Sequence, residues 1–240
     1  MRNLLLFMAA VGLFVFGWRY LGCLTGVTGQ GIVVGETRPL EPIKGVSVSG
    51  GGELTIVRGE VSQIAIEAQQ NILDRIKTEV RDGVLHIWVD GPVRNAKIQY
   101  RVEMPELRSL SLSGGVNGAV KTPFEGEQAE VDLSGGCRLN FPQMFYGTAR
   151  MDLSGGTFAE VGGQVEALDA NLSGGGRMQG FNLITRRCRA VASGGAHLEC
   201  NVTDELDVNI SGGGRVEYKG SPSVKQVVSG GGRIVAVDPG

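Results

Sequence analysis

Residues 131–141 read Val131-Asp132-Leu133-Ser134-Gly135-Gly136-Cys137-Arg138-Leu139-Asn140-Phe141, and residues 151–161 read Met151-Asp152-Leu153-Ser154-Gly155-Gly156-Thr157-Phe158-Ala159-Glu160-Val161. Both stretches alternate apolar and polar residues up to a Ser-Gly-Gly, then resume with a second β-prone piece. Alternation with period two marks a strand with one buried face. The glycine pair marks a sharp corner, because a residue with φ > 0 carries no Cβ penalty only when it is glycine.

The same triplet begins at Ser49, Ser113, Ser134, Ser154, Ser173, Ser193, Ser211 and Ser229, and from Ser113 onward the steps are 21, 20, 19, 20, 18 and 18 residues. A unit this short cannot bury an apolar face by itself, whereas stacked units share one continuous core. The periodicity therefore predicts an all-β chain folded as a right-handed parallel β-helix, a β-solenoid, with regular coils over 109–237. Seven coils at the ~4.8 Å inter-strand spacing give a rod roughly 34 Å long. The serine at each corner is expected to bond to corner backbone groups or to the serine of the next coil. Eight equivalent serines with no recurring histidine are structural, not nucleophilic.

Residues 40–108 have no triplet between Ser49 and Ser113 but still show alternating strands. Arg81-Asp82-Gly83 predicts a hairpin turn, and Asn71 to Ile76 predict one helical turn. This half is expected to be a β-meander that starts the solenoid and caps its first coil, shielding an open edge. Together the two halves make one solenoid domain over 40–237, preceded by a linker at 24–39.

Residues 1–23 hold Arg2, a run of 13 residues from Leu4 to Phe16 without a charge, and then Trp18 and Arg19. A run of that length fits the h-region of a signal peptide better than a membrane span of ~20 residues. Gly22-Cys23 makes Cys23 a lipidation candidate; an uncleaved anchor and simple cleavage are the other outcomes, and all three export the chain. The other cysteines, Cys137, Cys188 and Cys200, are read as small buried side chains. A Cys188–Cys200 disulfide and a metal set of Cys188, His197 and Cys200 are the lesser readings, and no metal site or cofactor is expected.

Composition narrows function. Glycine supplies 39 of 240 residues, hydrophobic residues 42%, charged residues 20%, and the formal net charge is −2. Such a chain folds, and it has no electrostatic case for nucleic acid. An outward column two residues before each corner carries Ser111, Asp132, Asp152, Asn171, Val191, Asn209 and Val227. Asp132, Asp152, Asn171 and Asn209 are the candidate binding residues. Stacked Asx side chains form ladders, and a pair such as Asp132 and Asp152 also suits a weak Ca²⁺ site or a carbohydrate-active acid pair. His86 and His197 have no evident acid or nucleophile directly beside them and are read as structural.

The stretch Gly45-Val46-Ser47-Val48-Ser49-Gly50-Gly51-Gly52-Glu53-Leu54-Thr55-Ile56, with Ile64 to Ala68, Asn71 to Leu73, Ile76 to Leu85 and the serial Ser-Gly-Gly copies, resembles the auto-transporter adhesin head domain, the GIN domain. The resemblance covers about residues 35–237. It implies a β-helical protein of the bacterial envelope or surface, often behind a lipoprotein-like signal, with no catalytic residues to carry over. Gly240 is followed by no membrane barrel of amphipathic strands, so export by the general route is expected. The resulting reading is a non-enzymatic envelope module that binds or adheres, with a polysaccharide-binding or carbohydrate-active β-helix using Asp132 and Asp152 as the alternative. Expected partners are a glycan or an envelope protein on the lateral face, the membrane through the N-terminal segment, and a second copy through the poorly capped last coil.

Overall fold

The computed structural model describes residues 26–237; the segment expected to direct export, Cys23 and the first residues of the expected linker lie outside them. The N-terminal half contains β1 (Val27–Thr28), β2 (Val33–Pro39), β3 (Gly45–Ser49), β4 (Gly52–Arg58), β5 (Gln63–Gln69), α1 (Gln70–Leu73), β6 (Ile76–Arg81), β7 (Val84–Val89), β8 (Val93–Arg94) and β9 (Ile98–Met104). The coils follow as β10 (Ser109–Ser113), β11 (Val116–Val120), β12 (Phe124–Leu133), β13 (Arg138–Leu153), β14 (Phe158–Leu172), β15 (Arg177–Gly194), β16 (His197–Gly212), β17 (Arg215–Lys219), β18 (Ser223–Ser229) and β19 (Arg233–Ala236). Stacked parallel strands wind into a β-solenoid of about six turns. The long strands β13 to β16 each run through the return of one coil and into the face before the next corner.

At every Ser-Gly-Gly the first glycine has positive φ, from 70° at Gly174 to 98° at Gly50. The corners also touch. A Cβ built on Gly155 would lie 2.8 Å from the Gly135 carbonyl oxygen, and one on Gly194 2.9 Å from that of Gly174. Backbone closes the column: Gly156 N donates to Gly135 O at 2.8 Å, Gly175 N to Gly155 O at 2.9 Å and Gly195 N to Gly174 O at 2.8 Å. The corner ladder is thus made by main chain. Of the eight corner serines, only Ser229 bonds through its hydroxyl to the adjacent coil, donating to Ile210 O at 3.4 Å; the expected serine-to-serine bonds are absent among the described residues, and glycine amides and carbonyls make the contacts between corners.

Two faces meet at the corner. Face A, before it, turns Val46, Leu110, Val131, Met151, Ala170, Ala190 and Val208 inward, all at most 2% exposed. Face B, after it, buries Leu54, Leu139, Ala159, Met178, Leu198 and Val216. Each fully buried aliphatic side chain contributes roughly 1.5–3 kcal/mol, and large residues in one coil lie against small ones in the next, as Met151 does against Ala170. The unequal repeat lengths are absorbed on the return, where the β13–β14 register shifts between Phe141 and Met144, and the β15 register shifts between Gly180 and Ile184. Faces A and B stay in step.

Residues 40–108 contain more of the solenoid than a meander would. Strands β3 and β4 pair in parallel with β10 and β11 on one side and with β7 and β9 on the other. Only the outer rim is antiparallel, with β6 against β7, and β5 between β2 and β9. The hairpin after Arg81 has φ of 51° at Asp82 and 74° at Gly83, the two positive values that a tight turn of this kind needs. The expected helical turn is α1.

Candidate binding face

Inward packing fixes where the polar residues of face A point. With Val131, Met151, Ala170 and Val208 buried, their neighbours Asp132, Asp152, Asn171, Val191, Asn209 and Val227 fall outward in one register column. Asn171 Nδ2 donates to Asp152 Oδ1 at 2.9 Å, and Arg150 Nε donates to Asp152 Oδ2 at 2.7 Å. Both oxygens of Asp152 are occupied. Asp132 has only its charge environment: burial, then Glu130 and Asp152, push its carboxyl above the usual range, and Arg150 pulls it part of the way back.

Asp132, Ser134, Asp152, Ser154, Asn171 and Ser173 line a shallow groove of about 340 Å³. Asn209 stands beyond it, separated from Asn171 by Val191. An acid pair for glycoside cleavage needs one carboxyl free to hold a proton and the other free to attack or to activate water. Asp152, engaged by a guanidinium and an amide, does not supply that freedom.

A second outward column lies four residues before each corner serine: Ser109, Glu130, Arg150, Asp169, Arg189, Asp207 and Lys225, each in register with the next. From Glu130 onward the sign alternates at every coil. Side chains stacked at ~4.8 Å with opposite charge attract, whereas a slip of one coil would stack like charges, so the column reinforces the register set by the core. Each exposed pair contributes little by itself. The column borders a groove of about 680 Å³ floored by Ala149, Leu168 and Cys188. Asp169 Oδ1 is buried there with no hydrogen-bond partner. The column was open to sequence reasoning, since its offset from the serine never changes, but the sign pattern appears only when the repeats are aligned at that offset.

The remaining sequence candidates do other work. Cys137, Cys188 and Cys200 are buried free thiols. Contact with the Cys200 thiol, together with burial, pushes the Cys188 thiol up, which makes it a poor nucleophile. His197 gains an acidic neighbour that is distant in sequence: Glu217 Oε1 lies 3.6 Å from its Nε2, brought by the next coil. Among the described residues no helix is long and apolar enough to cross a membrane.

No curated protein matches the chain. Several solved structures share its fold. A "putative adhesin" from Bacteroides fragilis NCTC 9343 is 18% identical, with 89% of this chain and 100% of that chain covered and a TM-score of 0.82. A "putative adhesin" from Parabacteroides distasonis ATCC 8503 is 21% identical over 89% and 100%, with a TM-score of 0.74. A "Putative lipid binding protein" from the same organism is 19% identical over the same shares, also at 0.74. At these identities the likeness is one of fold. The family model described as "Putative auto-transporter adhesin, head GIN domain" matches residues 43–222, and the chain belongs to that family.

Proposed function

We propose that this chain is a non-catalytic adhesion module of the bacterial cell envelope, and that face A is the surface it presents to an extended polar ligand, a glycan strand. The observation that carries this reading is the alternating column from Glu130 to Lys225, flanked by the Asx column. A rigid ladder of charges and amides at strand spacing suits a repeating ligand that offers hydroxyls and charges at a similar pitch. The groove floor of small apolar side chains leaves room for the flat face of a sugar ring. Lipidation at Cys23, or an uncleaved anchor, would hold the module at the membrane with the coils projecting outward. A second copy joined through the last coil would lengthen the same face.

The test is a glycan array probed with the labelled chain. Binding to a defined set of glycans, weakened tenfold or more by Asp169→Asn with Arg189→Gln and unchanged by Arg233→Gln on face B, is expected. Binding indifferent to the face A pair moves the ligand elsewhere, and capture of envelope protein in place of glycan replaces the ligand class. Release of reducing ends from an acidic polysaccharide, abolished by Asp132→Asn with Asp152→Asn, would overturn the non-catalytic reading.

A further inference from the structure

Face B holds a cluster that the adhesive face does not use. His197 and Glu199 are two residues apart on β16, so both leave the same side of the strand, and Glu217 on β17 is the register partner of Glu199 one coil further on. One ligand atom from each of the three lies within 4.8 Å of the others. His197 and Glu217 side chains are only 23% and 15% exposed. Two carboxylates stacked directly across a parallel pair repel, and the cost rises as water is withdrawn. His197 Nε2 is shut off from water without a hydrogen-bond partner, and its 3.6 Å separation from Glu217 Oε1 is too long for a hydrogen bond.

These features have one common remedy, a cation shared by all three side chains. We infer that His197, Glu199 and Glu217 form a binding site for a divalent transition-metal ion, held by imidazole Nε2 and one oxygen from each carboxylate. A neutral imidazole with two carboxylates is a borderline donor set that suits Zn²⁺ and leaves a fourth tetrahedral position for water. Ca²⁺, which takes six to eight oxygens, is a poor match for a set containing nitrogen. Coordination at Nε2 places the imidazole proton on Nδ1.

The site joins two coils. His197 and Glu199 belong to one turn and Glu217 to the next, so a bound ion clamps β16 to β17 where the solenoid approaches its last turn. The Arg215 guanidinium lies against Glu217 Oε1, and the charges of Arg177 and Lys219 also reach Glu199. Arg215 is the side chain an entering ion must displace. It therefore acts as a competitor, and removing it strengthens binding.

The experiment is calorimetric titration of the untagged full chain, stripped with chelator, with ZnCl₂, and with CoCl₂ read by visible absorption as an independent signature of tetrahedral coordination. One Zn²⁺ per chain is expected, weakened tenfold or more in His197→Gln and in Glu217→Gln, tightened in Arg215→Gln, and accompanied by a rise in melting temperature that EDTA reverses. Far-UV circular dichroism identifies any variant that fails to fold, and Arg215→Gln tests the site without removing a ligand. No Zn²⁺ binding by the wild-type chain, unchanged binding in His197→Gln, or displacement of Zn²⁺ by equimolar Ca²⁺ would each overturn the assignment.

Discussion

Ser49 and Ser113 are register partners on the neighbouring parallel strands β3 and β10, although 64 positions separate them in the chain. The chain therefore enters the stack at its second layer, leaves it to build the outer layer of β7 and β9, and returns beside its starting point. Strands β3 and β4 are flanked on both sides. Their amides should exchange with solvent as slowly as those of β13 to β15, while β2 and β6 on the rim exchange faster, because protection follows the number of flanking partners and burial. Native-state hydrogen exchange resolved to these segments is the measurement, and fast exchange at Val46 and Val48 would contradict the layer order.

The corner column makes a sharp prediction at Gly155. Its φ is 80°, and a Cβ there would lie 2.8 Å from Gly135 O, the carbonyl that already accepts from Gly156 N. An L-residue in that conformation costs roughly 1–2 kcal/mol before any overlap, so Gly155→Ala should lose about 2–4 kcal/mol. Gly156→Ala next to it meets nothing closer than 3.7 Å and should stay within about 0.5 kcal/mol. Urea unfolding of the two variants decides; equal losses would remove the case for an aligned column.

Much of this architecture could be read along the chain because its determinants are local. The corner, the buried residues on either side and the Asx column all lie within a few positions of a Ser-Gly-Gly, so one aligned repeat predicts the rest. What was hidden depends on pairing at a distance. Nothing near Ser49 tells that β7, not β10 alone, will lie beside β3, and the absence of the triplet between them made a two-layer excursion look like a meander. The His197–Glu217 contact is hidden in the same way, since its partners meet only when two coils are stacked. The return face resisted reading for another reason: its register shifts near Phe141 and Gly180 obey no fixed offset. The last triplet begins at Ser229, the end of β18, and is followed by β19 with no described return, which leaves about six turns where seven were expected.

Asp132 gives a pH-dependent prediction. Burial, Glu130 and Asp152 raise its folded pKa, so folding favours the protonated acid. The stability linked to it is complete below the unfolded value, about 3.9, and is lost as pH rises through the folded value. Asp132→Asn keeps the uncharged form at every pH. It should therefore melt slightly above the wild type at pH 7, by a few tenths of a kcal/mol and on the order of 1 °C, with the difference vanishing near pH 3. Asp152→Asn should melt lower than wild type at pH 7, since it removes the acceptor of Arg150. A lower melting temperature for Asp132→Asn at pH 7 would show that its charge is held by a favourable contact.

The last layer of the stack carries the final prediction. All seven residues of β18 are exposed, and its inward positions Val224 and Val228, which continue the buried columns of Leu206 and Ile210, are 36% and 42% exposed. A strand edge in this state offers unpaired backbone groups together with apolar side chains, and Lys225 is the one charge on β18 that opposes pairing. An antiparallel partner centred on Gln226 would set Val224 against Val228 and Lys225 against Val227 of the second copy, so two copies can pair without a like-charge clash. Light scattering over a concentration series should show the mass rising toward twice that of one chain. Val227→Lys places a lysine opposite Lys225 and should return the chain to a monomer at the same concentrations without lowering its melting temperature, since Val227 points outward and is 63% exposed. A wild-type chain that stays monomeric throughout the series would remove end-to-end pairing from the account of how the adhesive face is extended.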